Sequence, residues 1–192
     1  MKDVPRVAFT LALVSLLAAG SLAWVNEFIK TRTAQHFEPE FKSALAFVLS
    51  GSETGHIVLV RENRKILYYI GYRDKDHHVV AGYAFLTEST GYASTIRTLV
   101  GIDSTGRILS MKIISEQETP GLGTRCEEIR PGETSPWWQV QFCNKQATAL
   151  AVDKDGGDIQ ALTGATITSR AITDSIVSRA GFVLSRLRSE KP

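Results

Sequence analysis

The chain has 192 residues, a net charge of +2 and a hydrophobic fraction of 43%, which together indicate one globular domain with room for an appendage. Acidic and basic residues are interspersed, so we expect no nucleic-acid partner. The two cysteines, Cys126 and Cys143, are compatible with a disulfide in an oxidising compartment or with two buried thiols.

The N-terminal segment departs from this average composition. Residues 7–25 are nineteen consecutive uncharged residues, which as a helix would cover about 28 Å of hydrocarbon. Trp24 stands at the far end, where an aromatic side chain suits the membrane interface. A cleaved signal peptide is the alternative, but the run is longer than a usual signal core. We therefore expect residues 1–6 to be a short cytoplasmic N-terminus and residues 7–25 to be a transmembrane anchor in the lipid bilayer.

Residues 26–55 are predicted to connect the anchor to the rest of the chain. Apolar residues recur mostly every three to four positions as far as Val48, which is typical of an amphipathic helix. Pro39 lies inside this segment and predicts a break or a restart of the helix. Residues 50–55 are glycine-rich and polar, and they are predicted to form a loop.

Beyond residue 55 the hydrophobic period changes to two, which predicts β-strands. Five strands are expected, and the last two form a hairpin that turns at residues 103–106: Ile57–Val60, Lys65–Tyr72, Val79–Leu86, Ser94–Asp103 and Arg107–Ser115. Two further runs look like strands, the aromatic segment Pro136–Phe142 and the segment Ala147–Val152.

Two helices are predicted in the second half of the chain, a short one at residues 124–129 and a long one at residues 166–187. The apolar positions of the long helix form a single stripe at Ile172, Ile176, Val177, Ala180, Val183, Leu184 and Leu187. The predicted fold class is therefore α+β, with an N-terminal transmembrane helix, an antiparallel sheet, and helices packed on that sheet.

Small and hydroxyl-bearing residues crowd the start of the long helix. Gly164 and Ala165 let another group approach the backbone closely. Thr166, Thr168 and Ser169 follow where the helix offers unpaired N–H groups and the positive end of its dipole, a suitable place for a phosphate. A plain helix cap with spare hydroxyls is the alternative interpretation.

Two motifs that suggest metals do not have the required pattern, and no metal site is predicted. The adjacent His77 and His78 would point to opposite faces of a strand, and no Cys or acidic partner stands at ligand spacing. The acidic run at residues 153–158 lacks the glycine and the glutamate of a calcium-binding loop, so it is predicted to be a hydrated turn.

Three separated stretches, occurring in the right order, resemble the FMN-binding domain family of RnfG and NqrC, the flavin subunits of membrane redox pumps. The resemblance extends from about residue 60 to the end, and the short length is more similar to RnfG. The stretches are Gly91-Tyr92-Ala93-Ser94-Thr95-Ile96 through Val100-Gly101-Ile102-Asp103, then Glu118-Thr119-Pro120-Gly121-Leu122-Gly123, then Thr163-Gly164-Ala165-Thr166-Ile167-Thr168-Ser169.

This resemblance implies that residues 56–192 form an FMN-binding domain. In that family a threonine carries FMN covalently through a phosphoester bond, placed there by a separate flavin transferase, and the matching residue here is Thr166. The resemblance gives no catalytic residue and no metal. The further contacts that it implies for the cofactor are Thr163, Gly164, Ala165, Thr168, Ser169, Glu118, Thr119, Gly121, Leu122 and Gly123.

The function implied by the resemblance is that of an electron-carrier subunit rather than an independent enzyme. It would belong, with the other subunits of the Rnf complex, to a membrane-bound ferredoxin/NAD oxidoreductase ion pump. Its soluble domain would lie on the periplasmic side of the cytoplasmic membrane, held by a single-pass anchor. Two alternatives are an NqrC-like subunit of a Na⁺-translocating quinone reductase and an anchored binding or assembly module without flavin.

Overall fold

The computed structural model describes residues 4–49, 56–62, 65–74 and 76–189 of the chain. The chain divides into two compact units, Met1–Phe41 and Lys42–Pro192. The predicted loop at residues 50–55 lies outside the described residues, as do residues 1–3 of the predicted cytoplasmic N-terminus. The predicted boundaries after residues 25 and 55 stay predictions.

A single long helix, α1, runs over Val4–Val48 and includes the predicted anchor and most of the predicted connector. The break expected at Pro39 was wrong, because α1 continues through this position. A proline inside a helix removes one N–H donor and commonly bends the helix without ending it. Among the described residues, no helix is both long enough and apolar enough to cross a membrane.

The second unit is built on one five-stranded antiparallel sheet in which each strand pairs with the next along the chain. This confirms the strands that the period-two pattern predicts. Their bounds are β1 Ile57–Glu62, β2 Lys65–Tyr72, β3 Val80–Thr90, β4 Thr95–Ile102 and β5 Ile108–Ser115. The pairing of β3 with β4 is the most regular, running without a bulge from Tyr83↔Ile102 to Thr90↔Thr95.

Helices cover both faces of this sheet. Helix α3, Thr166–Ser189, packs over the face that carries Phe85 and Val100. Of its predicted apolar stripe, four residues are buried and Leu184 and Leu187 are partly buried; the four are Ile172, Ile176, Ala180 and Val183. The last turns of α1 lie over the opposite face, where Gly101 leaves room for the backbone of Val48. The sheet is therefore buried on both sides, which explains why β4 is buried at five consecutive positions from Thr98 to Ile102.

Two strand predictions were wrong. The segment Pro136–Phe142 contains a short helix, α2, at Trp137–Val140. Trp138 and Phe142, four residues apart, are both buried, and their ring centroids lie 5.0 Å apart, so the apolar run follows a helical spacing. Residues 147–152 form no strand, and Val152 has only an isolated bridge to Ile159. The predicted short helix is a 3₁₀ turn at Gly123–Glu127.

The two cysteines are free thiols in the structure. Cys126 is fully buried, and this burial raises the pKa of its thiol to about 12. Of the two states compatible with the sequence, the structure has the reduced one.

The close approach at Gly101 leads to a first prediction. In Gly101→Ala the new methyl group would collide with the carbonyl oxygen of Val48, so we expect the free energy of unfolding to fall by about 1–3 kcal/mol. Gly181→Ala is the matched control, because Gly181 lies in α3 with open space around it and alanine should stabilise the helix by about 0.5–1 kcal/mol. Chemical denaturation of the full chain measures both, and equal effects of the two substitutions would contradict the packing described here.

Candidate functional site

The candidate site is organised around the carboxylate of Glu118, which is only 5% exposed. This carboxylate accepts five hydrogen bonds, four of them from the turn between β3 and β4. The donors in that turn are the N–H groups of Tyr92, Ala93 and Ser94 and the Ser94 hydroxyl. The fifth donor is the hydroxyl of Thr168 in the first turn of α3, at 2.6 Å. One side chain thus joins three separate parts of the chain.

Close packing accompanies these hydrogen bonds. A β-carbon at Gly91 would lie 2.5 Å from a carboxylate oxygen of Glu118, and one at Gly123 would lie 2.5 Å from its Cβ. Both positions therefore exclude any residue larger than glycine unless the turn moves. Gly123 is a predicted cofactor contact, but the group that comes closest to its backbone is the side chain of Glu118.

The hydrogen bonds keep Glu118 ionised. Burial alone would raise the pKa of this carboxyl group, but the Thr168 hydroxyl and the three N–H groups of the β3–β4 turn outweigh burial and lower the pKa below its ordinary value. A negative charge is therefore fixed beside the first turn of α3, the end at which the helix dipole favours an anion.

A cavity of about 600 Å³ lies beside Glu118, between the turn that follows it and the start of α3. Its volume is in the range of ordinary cofactor sites. Three large apolar side chains at its rim are exposed: Tyr92 at 72%, Leu122 at 41% and Ile167 at 54%. None of the described residues that line it is Lys, Arg or His. The cavity thus offers apolar contacts at its mouth, hydroxyl groups and helix N–H groups.

Helix α3 starts without a hydroxyl cap. It begins at Thr166, so the residue in the capping position is Ala165, whose methyl side chain accepts no hydrogen bond. Thr166 is half-buried and lines the cavity, and no hydrogen bond of its hydroxyl is found within the described part of the chain. The plain-cap interpretation therefore does not describe Thr166, and this hydroxyl stands beside N–H groups that the helix leaves unpaired.

The segment that precedes α3 is fixed by hydrogen bonds of the Ser169 side chain, and the first turns of α3 are fixed by an ion pair of Arg170. The Ser169 hydroxyl accepts the N–H of Leu162 and donates to the carbonyl of Ala165, both within 3.0 Å. Arg170 forms a two-pronged ion pair with Asp155, with distances of 2.6 and 2.7 Å. The acidic run at residues 153–158 is therefore a structural turn that docks against α3.

The structure brings most of the predicted site residues together but assigns several of them to packing. Those that line the cavity are Glu118, Thr119, Leu122, Gly123, Gly164, Ala165, Thr166 and Thr168. Thr163, Gly121 and Ser169 do not line it, and Ser169 is fully buried in the helix start. Tyr92 and Ile167 line it although they were not predicted. Both stand inside the motifs that carry the resemblance, and the available signal was a large side chain in the β3–β4 turn for Tyr92 and in the first turn of α3 for Ile167.

The residues present fit a phosphate-bearing aromatic cofactor. Gly164 has a φ of +80°, and a β-carbon there would lie 2.9 Å from Leu122, so this backbone comes close to the opposite wall. The hydroxyl of Thr166 and the start of α3 suit a phosphate, and the three exposed apolar side chains suit a planar ring. These residues would hold such a group.

The chain is similar to known proteins over nearly its whole length. An FMN-binding domain family model matches residues 91–179. The G subunit of an ion-translocating oxidoreductase complex from Escherichia coli is 30% identical, with 99% of this chain and 95% of that protein covered. The corresponding protein from Photorhabdus laumondii is 32% identical, with coverages of 95% and 91%.

Two further similarities are to a G subunit with a different name and to a solved structure. The G subunit of a Na⁺-translocating ferredoxin:NAD⁺ oxidoreductase complex from Acetobacterium woodii is 32% identical, with 88% of this chain and 81% of that protein covered. A crystal structure of Shewanella oneidensis NqrC has a TM-score of 0.49 at 20% identity, covering 64% of this chain and 61% of that one. This structural likeness is too low to support an argument about function.

The hydrogen bonds of Glu118 lead to a second prediction. In Glu118→Gln, an amide NH₂ replaces an oxygen that accepts N–H donors, so we expect the unfolding free energy at pH 7 to fall by about 2 kcal/mol. The exposed Glu128, which pairs with Arg125, provides the control Glu128→Gln, for which little change is expected.

The same variant has a predicted pH dependence. Because the folded-state pKa of Glu118 lies below the ordinary value of 4.5, its contribution is complete above that pH and is lost as the pH falls towards the folded-state pKa. The unfolding free energy of the wild type should therefore decrease more steeply than that of Glu118→Gln as the pH falls below about 4.5. Parallel curves for the two proteins in that range would contradict the assigned hydrogen bonds.

Proposed function

The chain belongs to the family of G subunits of ion-translocating oxidoreductase complexes, and we propose that it carries FMN covalently through a phosphoester bond to Thr166. The observation that carries this proposal is the Thr166 hydroxyl. It lines the cavity at an uncapped helix start, with no hydrogen-bond partner in the described chain, whereas the neighbouring hydroxyls of Thr168 and Ser169 are both engaged. Thr166 is thus the available oxygen at the point where α3 best accommodates a phosphate.

In this function the protein positions the cofactor and sets its surroundings. FMN supplies the capacity to accept and release electrons, including one at a time. The start of α3 would hold the phosphate, and Leu122, Ile167 and Tyr92 would cover part of the ring and exclude water from it. The ionised Glu118 would hold the walls of the site at a fixed separation, because it joins the β3–β4 turn to α3.

The complex in which this subunit acts is proposed from its relatives. As an electron carrier it would pass electrons between the centres of other subunits, in a complex that couples ferredoxin and NAD redox chemistry to ion translocation, as the name of the Acetobacterium relative states for that protein. A separate flavin transferase would attach the FMN, as the family resemblance implies.

Residues 7–25 are proposed to anchor the chain in the cytoplasmic membrane, with the sheet domain on the periplasmic side. The support is the run of nineteen uncharged residues together with the exposure of its large side chains, such as Leu16 and Leu22 at 72% each and Trp24 at 71%. Apolar side chains exposed along a helix over such a length are stable in hydrocarbon and costly in water.

A third prediction tests the attachment. In cells that contain the flavin transferase, Thr166→Ala should abolish the flavin fluorescence that stays with the denatured protein on a gel, and the mass of the intact protein should fall to that of the bare chain. Thr134→Ala is the matched control, because Thr134 is exposed, lies outside the motif and does not line the cavity, and it should retain the flavin. A wild-type protein without bound flavin under these conditions would favour the flavin-free binding module.

A fourth prediction tests the anchor. Removal of residues 1–25 should move the protein from the membrane fraction to the soluble fraction, because the deleted run supplies the apolar contact with lipid. Sedimentation followed by immunoblotting measures the partition, and carbonate washing separates integral from peripheral association. Full-length protein that carbonate extracts from the membrane would refute a spanning anchor.

A further inference from the structure

The sheet is open on one side of β3. Strands β2 and β3 are paired from Tyr72↔Val80 to Tyr69↔Ala84, where their register ends. Strand β3 continues for six residues to Thr90, still paired on its other side with β4. The first residues of β2 stay with β1, up to the pair Glu62↔Lys65. The β1–β2 hairpin therefore diverges from β3, and among the described residues no strand pairs with the last six residues of β3 on that side.

Two arginines of α3 hold the β1–β2 hairpin apart from the last residues of β3. A guanidinium N–H of Arg179 donates to the carbonyls of Ile66 and Leu67, at 3.2 and 2.9 Å. Arg186 pairs with Glu62 at 2.6 Å, near the tip of the hairpin. Two backbone carbonyls of β2 thus receive donors from a side chain of α3, and the opening is stabilised by specific contacts.

A cleft of about 440 Å³ fills the opening between β3 and α3. We call it the β3-edge cleft; its lining includes Leu86, Thr87 and Glu88 from β3, and Ser178, Arg179 and Phe182 from α3. Consecutive residues of a strand point to opposite faces, so a cleft that touches three in a row reaches around the edge of the strand. This is the geometry in which an extended peptide can add to a sheet.

The charge in the β3-edge cleft is not balanced. Arg179 is half-buried, yet its hydrogen bonds go only to neutral carbonyls, and no ion pair of Arg179 is found among the described residues. Its Nε is buried without a hydrogen-bond partner, and burial lowers the pKa of the group with no carboxylate to oppose the effect. Glu88, the acidic residue of the cleft, is already paired with Arg97 at 2.8 Å.

We propose that the β3-edge cleft binds an extended segment of another subunit of the complex, through an Asp or Glu whose carboxylate pairs with Arg179. Buried charges in proteins are normally paired, and a guanidinium matches a carboxylate in geometry as well as in charge. The uncovered backbone of β3 provides hydrogen bonds for the extended segment, and Leu86 and Phe182 provide apolar contacts. The proposal rests on the proposed membership of a complex, but it does not depend on the flavin.

Site-specific photo-crosslinking in the assembled complex tests this proposal. A p-benzoylphenylalanine in place of Ser178, which is exposed at the mouth of the cleft, should crosslink to a peptide of another subunit that contains Asp or Glu. Adding Arg179→Gln should reduce the yield about tenfold, the loss of one charge-assisted hydrogen bond, while Arg179→Lys should retain part of it. Arg125→Gln is the matched control, since Arg125 pairs with Glu128 and does not line the cleft, and it should leave the yield unchanged.

A second measurement separates binding from folding, because Arg179 also supports the hairpin. The crosslink from position 178 with Arg179 intact should weaken when the ionic strength is raised from about 0.05 to 0.5 M, since the proposed pair is electrostatic. A yield that is insensitive to salt, a yield that Arg179→Gln leaves unchanged, or a crosslink to a second copy of this chain or to lipid would overturn the proposal. Thr166→Ala should leave the crosslink intact, so a failure of flavin attachment is distinguishable from a failure of this interaction.

Discussion

The site depends on one buried carboxylate that is surrounded by donors from distant parts of the chain. Glu118 accepts hydrogen bonds from the β3–β4 turn, 24 to 26 residues earlier, and from Thr168, 50 residues later. Burial of a charge is costly unless it is fully hydrogen-bonded, so these segments hold their positions only together. The cavity lies beside this cluster of hydrogen bonds around Glu118. Its shape is consequently set by a hydrogen-bond network rather than by the flexible contacts of a surface loop.

Much of the fold could be predicted from the sequence, because the sheet follows the chain order. Alternation of apolar residues identified each strand, and short connections made neighbours pair. The wrong predictions concern segments whose partners are remote. Residues 137–140 are too few to show a helical period clearly, and the Trp138–Phe142 contact becomes visible only in three dimensions. Residues 147–152 have strand-like composition, but only an isolated bridge joins Val152 to Ile159.

The location of the candidate site could be predicted from its motifs. Which of its hydroxyl groups form hydrogen bonds within the fold, and which one is left available, could not. The hydroxyl-rich start of α3 and the glycine turn after Glu118 were evident as local patterns. No local pattern states that Thr168 and Ser169 are used for packing while Thr166 is left available, because their partners are set by tertiary contacts. Tyr92 was missed for the same reason. It is exposed, and it joins the site only because Glu118 holds its turn in place.

Glu118 and Thr168 are 50 residues apart in the sequence, and this separation affects the order in which the contacts of the domain form during folding. Antiparallel neighbours in the sheet can pair early, since their contacts are local, whereas the Thr168–Glu118 contact requires α3 to have docked. The cavity therefore does not exist in a partly folded chain. If FMN is attached as proposed above, a transferase that recognises the assembled cavity would modify folded molecules and not unfolded ones, and the attached FMN would mark chains whose folding is complete.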